Sequence, residues 1–356
     1  MNFKYDLDIY LKPFNNNEIM YFETALPLKG EAIQTLFPIE EIIAVTNYGL
    51  DVIYEEGKDY IVKDKKLVIT ENSKIKQIGL DEYYSKKPAA IQINVNKERA
   101  RYKFNDQRYL MFGELDFMSS KQIAITYKHK LDDVAFVQKN QKNQLGRFFN
   151  KLENKQNPTI VFYGDSITEG NNSSGTQYGN NTKPYAPSWT TMVTDYLERH
   201  YNAKINYINT AVGGKNTKWG LDNVEERVNK YHPDLFIMGL GANDGMLSKE
   251  DHAALIKEII DSVRKENPEC DIILIATTIC NPESEWYCGQ QQFFYQEYEK
   301  FDYNNLAICN MTLAHFYLLS RKAFKDMSGN NINHPNDFLA RVYAQAILQV
   351  MGLIDD

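Results

Sequence analysis

Cysteine is scarce in this 356-residue chain. There are four, Cys270, Cys280, Cys288 and Cys309, and they show neither zinc spacing nor a CxxC pair. The pattern points to neither a thiolate metal site nor a redox pair, and reduced thiols are expected. No apolar stretch reaches the length of a membrane span. The opening residues, MNFKYDLDIYLKPFNNNEIM, lack the apolar run of a signal peptide. The expected location is the cytoplasm, with export from a longer precursor left open. Excess positive charge is also missing: 40 Lys and Arg face 47 Asp and Glu, for a net charge of -7. That balance argues against nucleic acid or an anionic membrane as partner. No Walker motif, HExxH or dinucleotide fingerprint occurs, so neither a metal nor an organic cofactor is expected in the chemistry. Aromatics, by contrast, are plentiful at 13%, with 24 tyrosines. Most are expected to pack a β-rich core, although tyrosine-rich surfaces also suit sugars.

The chain is long enough for two domains. Its first part, EEIIAVTNYGLDVIYEEGKDYIVKDKKLVIT, alternates short β-rich runs with turn signals at Asn47-Tyr48-Gly49, Glu56-Gly57-Lys58 and Lys63-Asp64-Lys65. AAIQINVN, RYLMFGEL and KQIAITYKHK continue the pattern without a helical period between them. An all-β sandwich or jelly roll is expected over 1–135. Residues 136–157 read as a connector anchored by Phe148, Phe149 and Leu152. From 158 onward the rhythm changes. PTIVFYG, INYINT, DLFIMGL and DIILIATT are buried-strand candidates separated by helical-period segments, which implies an α/β domain over 158–356 with a parallel sheet covered on both faces.

In such sheets ligands bind beyond the carboxyl ends of the strands. After TIVFY comes Gly164-Asp165-Ser166; after INYIN comes Gly213-Gly214-Lys215-Asn216; after DLFIMGL comes Gly241-Ala242-Asn243-Asp244. Taken singly, each is as well explained by a turn and a helix cap. Together they deliver a hydroxyl, a Gly-Gly backbone and an amide side chain to one sheet edge. Those are the parts acyl transfer needs, a nucleophile and N–H donors for an oxyanion. His334, in the loop before the final helix DFLARVYAQAILQVMG, is placed to return to that edge as base.

The blocks GDSITEG, NTAVGGKNT, GLGANDG and HPND, in that order, resemble the SGNH (GDSL-type) hydrolase superfamily over roughly residues 158–352. The resemblance implies a three-layer α/β/α fold of flavodoxin-like sheet order. It implies Ser166 as nucleophile, His334 as base, and Gly214 and the Asn243 amide as oxyanion donors beside the Ser166 N–H. A β domain ahead of such a fold is similar to the layout of two-domain carbohydrate esterases, notably family two.

One position departs from the family pattern. The acid expected three residues before the histidine is Asn331 here. A carboxylate both orients the Nδ1 proton of the base and stabilises its imidazolium, and replacing it by the amide costs serine proteases about 10⁴ in rate. The candidates to take its place are a neutral acceptor such as a backbone carbonyl, or a carboxylate from elsewhere, Asp326 and Asp337 being nearest in sequence. The expectation is a Ser166–His334 dyad, with Asn331 and Asp165 as possible orienting groups. Asp165, Glu169 and Asp244 are expected to hold loops rather than react. The remaining histidines, His129, His200, His232, His252 and His315, show no ligand spacing and are expected to pack or face solvent. Residues 171–187 form a loop long enough to be functional. In the loop after DIILIATT, Trp286 and Tyr287 are candidates to contact a sugar ring, with Phe293 and Phe294 equally explained by packing.

The reading that follows is an esterase removing small acyl groups, acetyl above all, from a carbohydrate. Other superfamily acyl-ester hydrolases, of lipase or thioesterase type, are the near alternative. A glycan-binding protein with a decayed hydrolase domain is the alternative from another class. The oligomeric state is left open.

Overall fold

The computed structural model describes residues 5–12, 14, 18–88, 100–130, 137–287 and 289–354. The strand expected at 89–96, Cys288, and residues 131–136 at the expected domain boundary lie outside the described residues.

Two sheets organise the chain. The first is antiparallel, with β1 (Ile19–Ala25), β2 (Glu41–Asn47), β3 (Ile53–Tyr54) and β4 (Ile123–Lys128) in the order β1-β4-β2-β3. The β-branched run of β4 sits centrally, with five of its six residues buried. Two hairpin-sized pairings accompany it, Tyr60–Lys63 with Lys66–Ile69 and Tyr84–Ser85 with Tyr109–Leu110. The 108–115 run yields only the last of these strands, because the chain then turns at 113–117.

The second sheet is parallel: β5 (Thr159–Gly164), β6 (Asn206–Asn209), β7 (Leu235–Gly239), β8 (Asp271–Ala276) and β9 (Leu306–Asn310), in the order β6-β5-β7-β8-β9. Its apolar residues divide by period two. Ile160, Phe162, Ile237 and Ile273 join one core with the helices Trp189–Tyr201 and Asp337–Val350. Val161, Tyr163, Phe236 and Ile272 join a second core with the helices Thr217–Arg227 and Lys249–Glu266. That is the α/β/α arrangement. β9 escapes the sequence pattern because LAICN is short and runs straight into the apolar helix that starts at Met311. The chain leaves β5 for one neighbour and crosses back to the other, so the loops after β5, β6 and β7 meet at the topological switch point.

The connector helix Gly146–Glu153 buries Phe148, Phe149 and Leu152. Cys270 and Cys309 are buried free thiols, and Cys280 is buried. Among the described residues no helix is long and apolar enough to cross a membrane.

The antiparallel sheet docks on the α/β part through a shared core and a buried polar seam. Lys322 and Glu23 pair at 2.7 Å, each side chain 1% exposed. Both are fully committed: Lys322 also donates to the Thr24 carbonyl, while Glu23 accepts from the Tyr127 hydroxyl and the Leu36 N–H. Breaking one side of such a pair leaves an uncompensated buried charge. Lys322→Met is therefore expected to destabilise the fold by about 3–5 kcal/mol, and Lys322→Met with Glu23→Gln to recover much of it. Equilibrium denaturation of both variants checks this; equal losses in the two would contradict it.

Candidate active site

Ser166 opens the short helix Ser166–Glu169 directly after β5. Asp165 is its N-cap, with the side chain accepting from the Ile167 N–H at 3.0 Å. The second carboxylate oxygen accepts from the Ala242 N–H at 3.3 Å, tying the turn after β5 to the turn after β7. Glu169 ties the same helix to the turn after β6, accepting from the Gly213 N–H at 2.9 Å and from the Tyr178 hydroxyl at 2.8 Å. Asp244 accepts from the N–H and hydroxyl of Thr217. These three acids hold loops.

Gly214 has φ +75, a conformation that favours glycine. Among the described residues neither the Gly214 N–H nor the Ser166 N–H has an acceptor. Asn243 donates one amide proton to the Lys215 carbonyl at 2.9 Å, which fixes the side chain and leaves its second N–H to give.

His334 arrives on a turn nailed by one side chain. The Asn330 carboxamide oxygen accepts from the N–H groups of Ile332, Asn333 and His334 at 2.9 to 3.0 Å. Ser328 Oγ adds a bond to the His334 carbonyl at 2.9 Å. The imidazole Nε2 lies 2.8 Å from Ser166 Oγ. Its Nδ1 faces Asn172 Oδ1 at 2.7 Å and Glu114 Oε2 at 3.1 Å. The Asn172 amide cannot turn round, because its NH₂ donates to the carbonyls of Leu115 and Gly329 at 2.7 and 3.3 Å. Both neighbours of Nδ1 are then acceptors, so Nδ1 carries the proton and Nε2 accepts from Ser166. Gly329 is required by this approach, since a Cβ there would stand 2.3 Å from the Asn172 Cβ.

Asn331 does not orient His334, and here the expectation is corrected. Its amide NH₂ donates to the Tyr83 hydroxyl and the Met111 carbonyl at 3.1 and 2.9 Å, and its own carbonyl accepts from Asn281. The side chain turns toward the antiparallel part, away from the imidazole. A carboxylate there would meet the Met111 carbonyl with no proton to offer it. Asp326 and Asp337 are also committed elsewhere, accepting from the Leu26 N–H and the Ser174 N–H. Asn172 and Glu114 went unrecognised in the sequence. Asn172 stands in the long loop singled out after the serine, and nothing local marks Glu114.

Residues 162–337 match the model of the GDSL-like lipase/acylhydrolase family. The matched stretch covers 176 of the 356 residues, and over it the chain is similar to that family. No curated protein matches the chain. Among solved structures, this chain resembles a two-domain esterase active on acetylated mannans, with 19% identity and a TM-score of 0.49, covering 62% of this chain and 55% of that one. It also resembles a variant of an acetyl xylan esterase from Geobacillus stearothermophilus, with 18% identity and a TM-score of 0.43, covering 56% of this chain and 96% of that one. The matched region thus spans little more than half the length of the first.

Around the GDSL-like site, Trp286 packs on a cluster that contains Tyr83 and Ile332, and Tyr287 lies under the Lys103 ammonium. Phe294 is core, stacked on His252, while Phe293 is partly exposed. His252 and His315 are buried, and burial pushes both down to about 3, so they are neutral packing residues.

Burial pushes the Asp165 carboxyl up from 3.8 to about 7, against the lowering pull of its two N–H donors. Between those values the folded chain holds a proton that the unfolded chain has released, so this group's contribution to stability falls as pH rises. Asp165→Asn does not titrate. Its stability relative to the wild type is expected to improve between pH 4 and pH 8 by at least about 1 and at most about 4 kcal/mol. Denaturant unfolding at the two pH values reads this directly, and an unchanged difference would refute the shift.

Proposed function

We propose that the protein is a serine esterase that removes acetyl or similarly small acyl groups from carbohydrate substrates. The observation that carries the proposal is the 2.8 Å approach of His334 Nε2 to Ser166 Oγ beside two unengaged backbone N–H groups. Ser166 Oγ attacks the ester carbonyl while His334 Nε2 takes its proton. The carbonyl oxygen, now anionic, is met by the N–H groups of Ser166 and Gly214 and the free amide proton of Asn243. Collapse expels the alcohol, which receives the proton from His334. Water, deprotonated by the same imidazole, then releases the acid and restores the serine.

Two features support the substrate class. Ser166 is only 3% exposed, so the acyl group that reaches it is small. A polar cleft of about 500 Å³, separate from Ser166 and His334 in its lining, is formed by Asn47, Asp51, Asp116, Asn181, Lys183 and the exposed ring of Tyr185 among others. A polar lining, in which Asp51 is bonded to Asn47 and Lys183, with one open aromatic face suits a sugar better than an acyl chain. We further propose that the antiparallel part, to about residue 135, forms one wall of the site, and that the part from 158 is the hydrolase. Trp286 and Tyr287 remain proposed sugar contacts. Decay to a glycan-binding protein loses its motive, since the vacancy left by Asn331 is filled by Asn172 and Glu114.

Ser166→Ala and His334→Ala are expected to abolish hydrolysis of 4-nitrophenyl acetate, and Asn243→Ala to lower kcat about 10²–10³-fold. Wild-type activity on the octanoate ester is expected to be at least about 10-fold below that on the acetate. Acetate release from acetylated oligosaccharides tests the sugar. A clear preference for the octanoate, with no acetate released from any glycan, would sink the carbohydrate reading.

A further inference from the structure

Neither the dyad expectation nor the family pattern accounts for a carboxylate 3.1 Å from the Nδ1 of His334. We propose that Glu114, from the antiparallel part of the chain, is the positioning residue that supplies the negative charge behind His334, while Asn172 fixes the ring. The inference rests on the Ser166–His334 reading above and deepens it.

Asn172 alone does not suffice. At 2.7 Å its carbonyl is the nearer acceptor and sets the tautomer, but an amide carries no net charge to favour the imidazolium formed as Ser166 gives up its proton. Glu114 adds that charge without taking the proton, so the step still moves one proton from Ser166 Oγ to His334 Nε2.

A half-exposed glutamate would ordinarily wander. The side chain of Glu114 is 44% exposed, yet it is held at both ends. Its other oxygen accepts from the Asn330 amide at 3.2 Å, the same side chain whose carbonyl pins the His334 turn. Its backbone lies in a turn closed by the Phe117 N–H on the Glu114 carbonyl. The next residue, Leu115, adopts φ 58, which leucine rarely does, and its carbonyl is clasped by the Asn172 amide. The Asn172 and Asn330 side chains thus each bind both the histidine segment and the glutamate segment. A solvated surface acid needs no such fixing.

Partial exposure limits the effect, because water and salt screen the charge. Glu114→Gln is expected to lower kcat for 4-nitrophenyl acetate about 10-fold, far less than loss of a buried triad acid, with KM nearly unchanged. The gap between wild type and Glu114→Gln should narrow as NaCl rises from about 0.05 to about 1 M. In Glu114→Ala, added formate should restore part of kcat, which a merely structural role would not allow. Ser166-dependent turnover that both variants retain at the wild-type level would overturn the role of Glu114 and leave the esterase reading intact. Turnover that survives Ser166→Ala would overturn that reading and this inference with it.

Discussion

An imidazole that accepts a proton at Nε2 must hold its Nδ1 proton against an acceptor, and in this chain no residue beside His334 in sequence provides one. The rest of the site follows from that constraint. Asn172 presents its carbonyl only because its NH₂ is occupied by the Leu115 and Gly329 carbonyls. Those carbonyls belong to the antiparallel part and to the histidine turn. The turn needs a glycine where Asn172 comes close. One amide orientation therefore depends on the docking of three separate segments.

The docking is expensive to disturb for reasons that reach beyond the site. β1 lies against the 322–341 segment through a buried ion pair, and Arg341 donates to the Tyr21 carbonyl from a side chain enclosed by Tyr10, Phe14 and Phe338. Asn336 caps the last helix with its carbonyl oxygen and donates through its amide to Thr24 and Gln122. Most polar groups of this seam find partners across it, which fixes how the two parts meet. The His334 turn lies within the same segment and inherits its precision.

What the sequence made legible is what period and position along one strand can carry. PTIVFYG, DLFIMGL and DIILIATT read as buried parallel strands because both faces of that sheet are covered, and the residues after them fall at one edge by topology alone. Ser166 and Asn243 became candidates that way, and His334 through its place in the loop before the last helix. β9 was missed because five residues that run straight into an apolar helix give no usable period. The orienting groups were missed for a different reason. Glu114 and His334 are 220 residues apart, and Asn172 reaches His334 across 162, so no local pattern encodes either contact. The misreading of Asn331 has the same origin: proximity in sequence suggested a contact that its left-handed backbone, φ 66, directs elsewhere.

That last point changes what the asparagine means. Read locally, Asn331 is a triad acid that has been lost. Read in the fold, it is a buried donor required by the Met111 carbonyl and the Tyr83 hydroxyl, at a position where an unpaired carboxylate would be costly. Packing an antiparallel layer against this turn converts the position from one that faces the imidazole into one that faces the new layer. The same layer brings Glu114 to the vacated side of the ring. What Asn331 faces and what Glu114 faces are therefore both set by the same docking of the antiparallel layer.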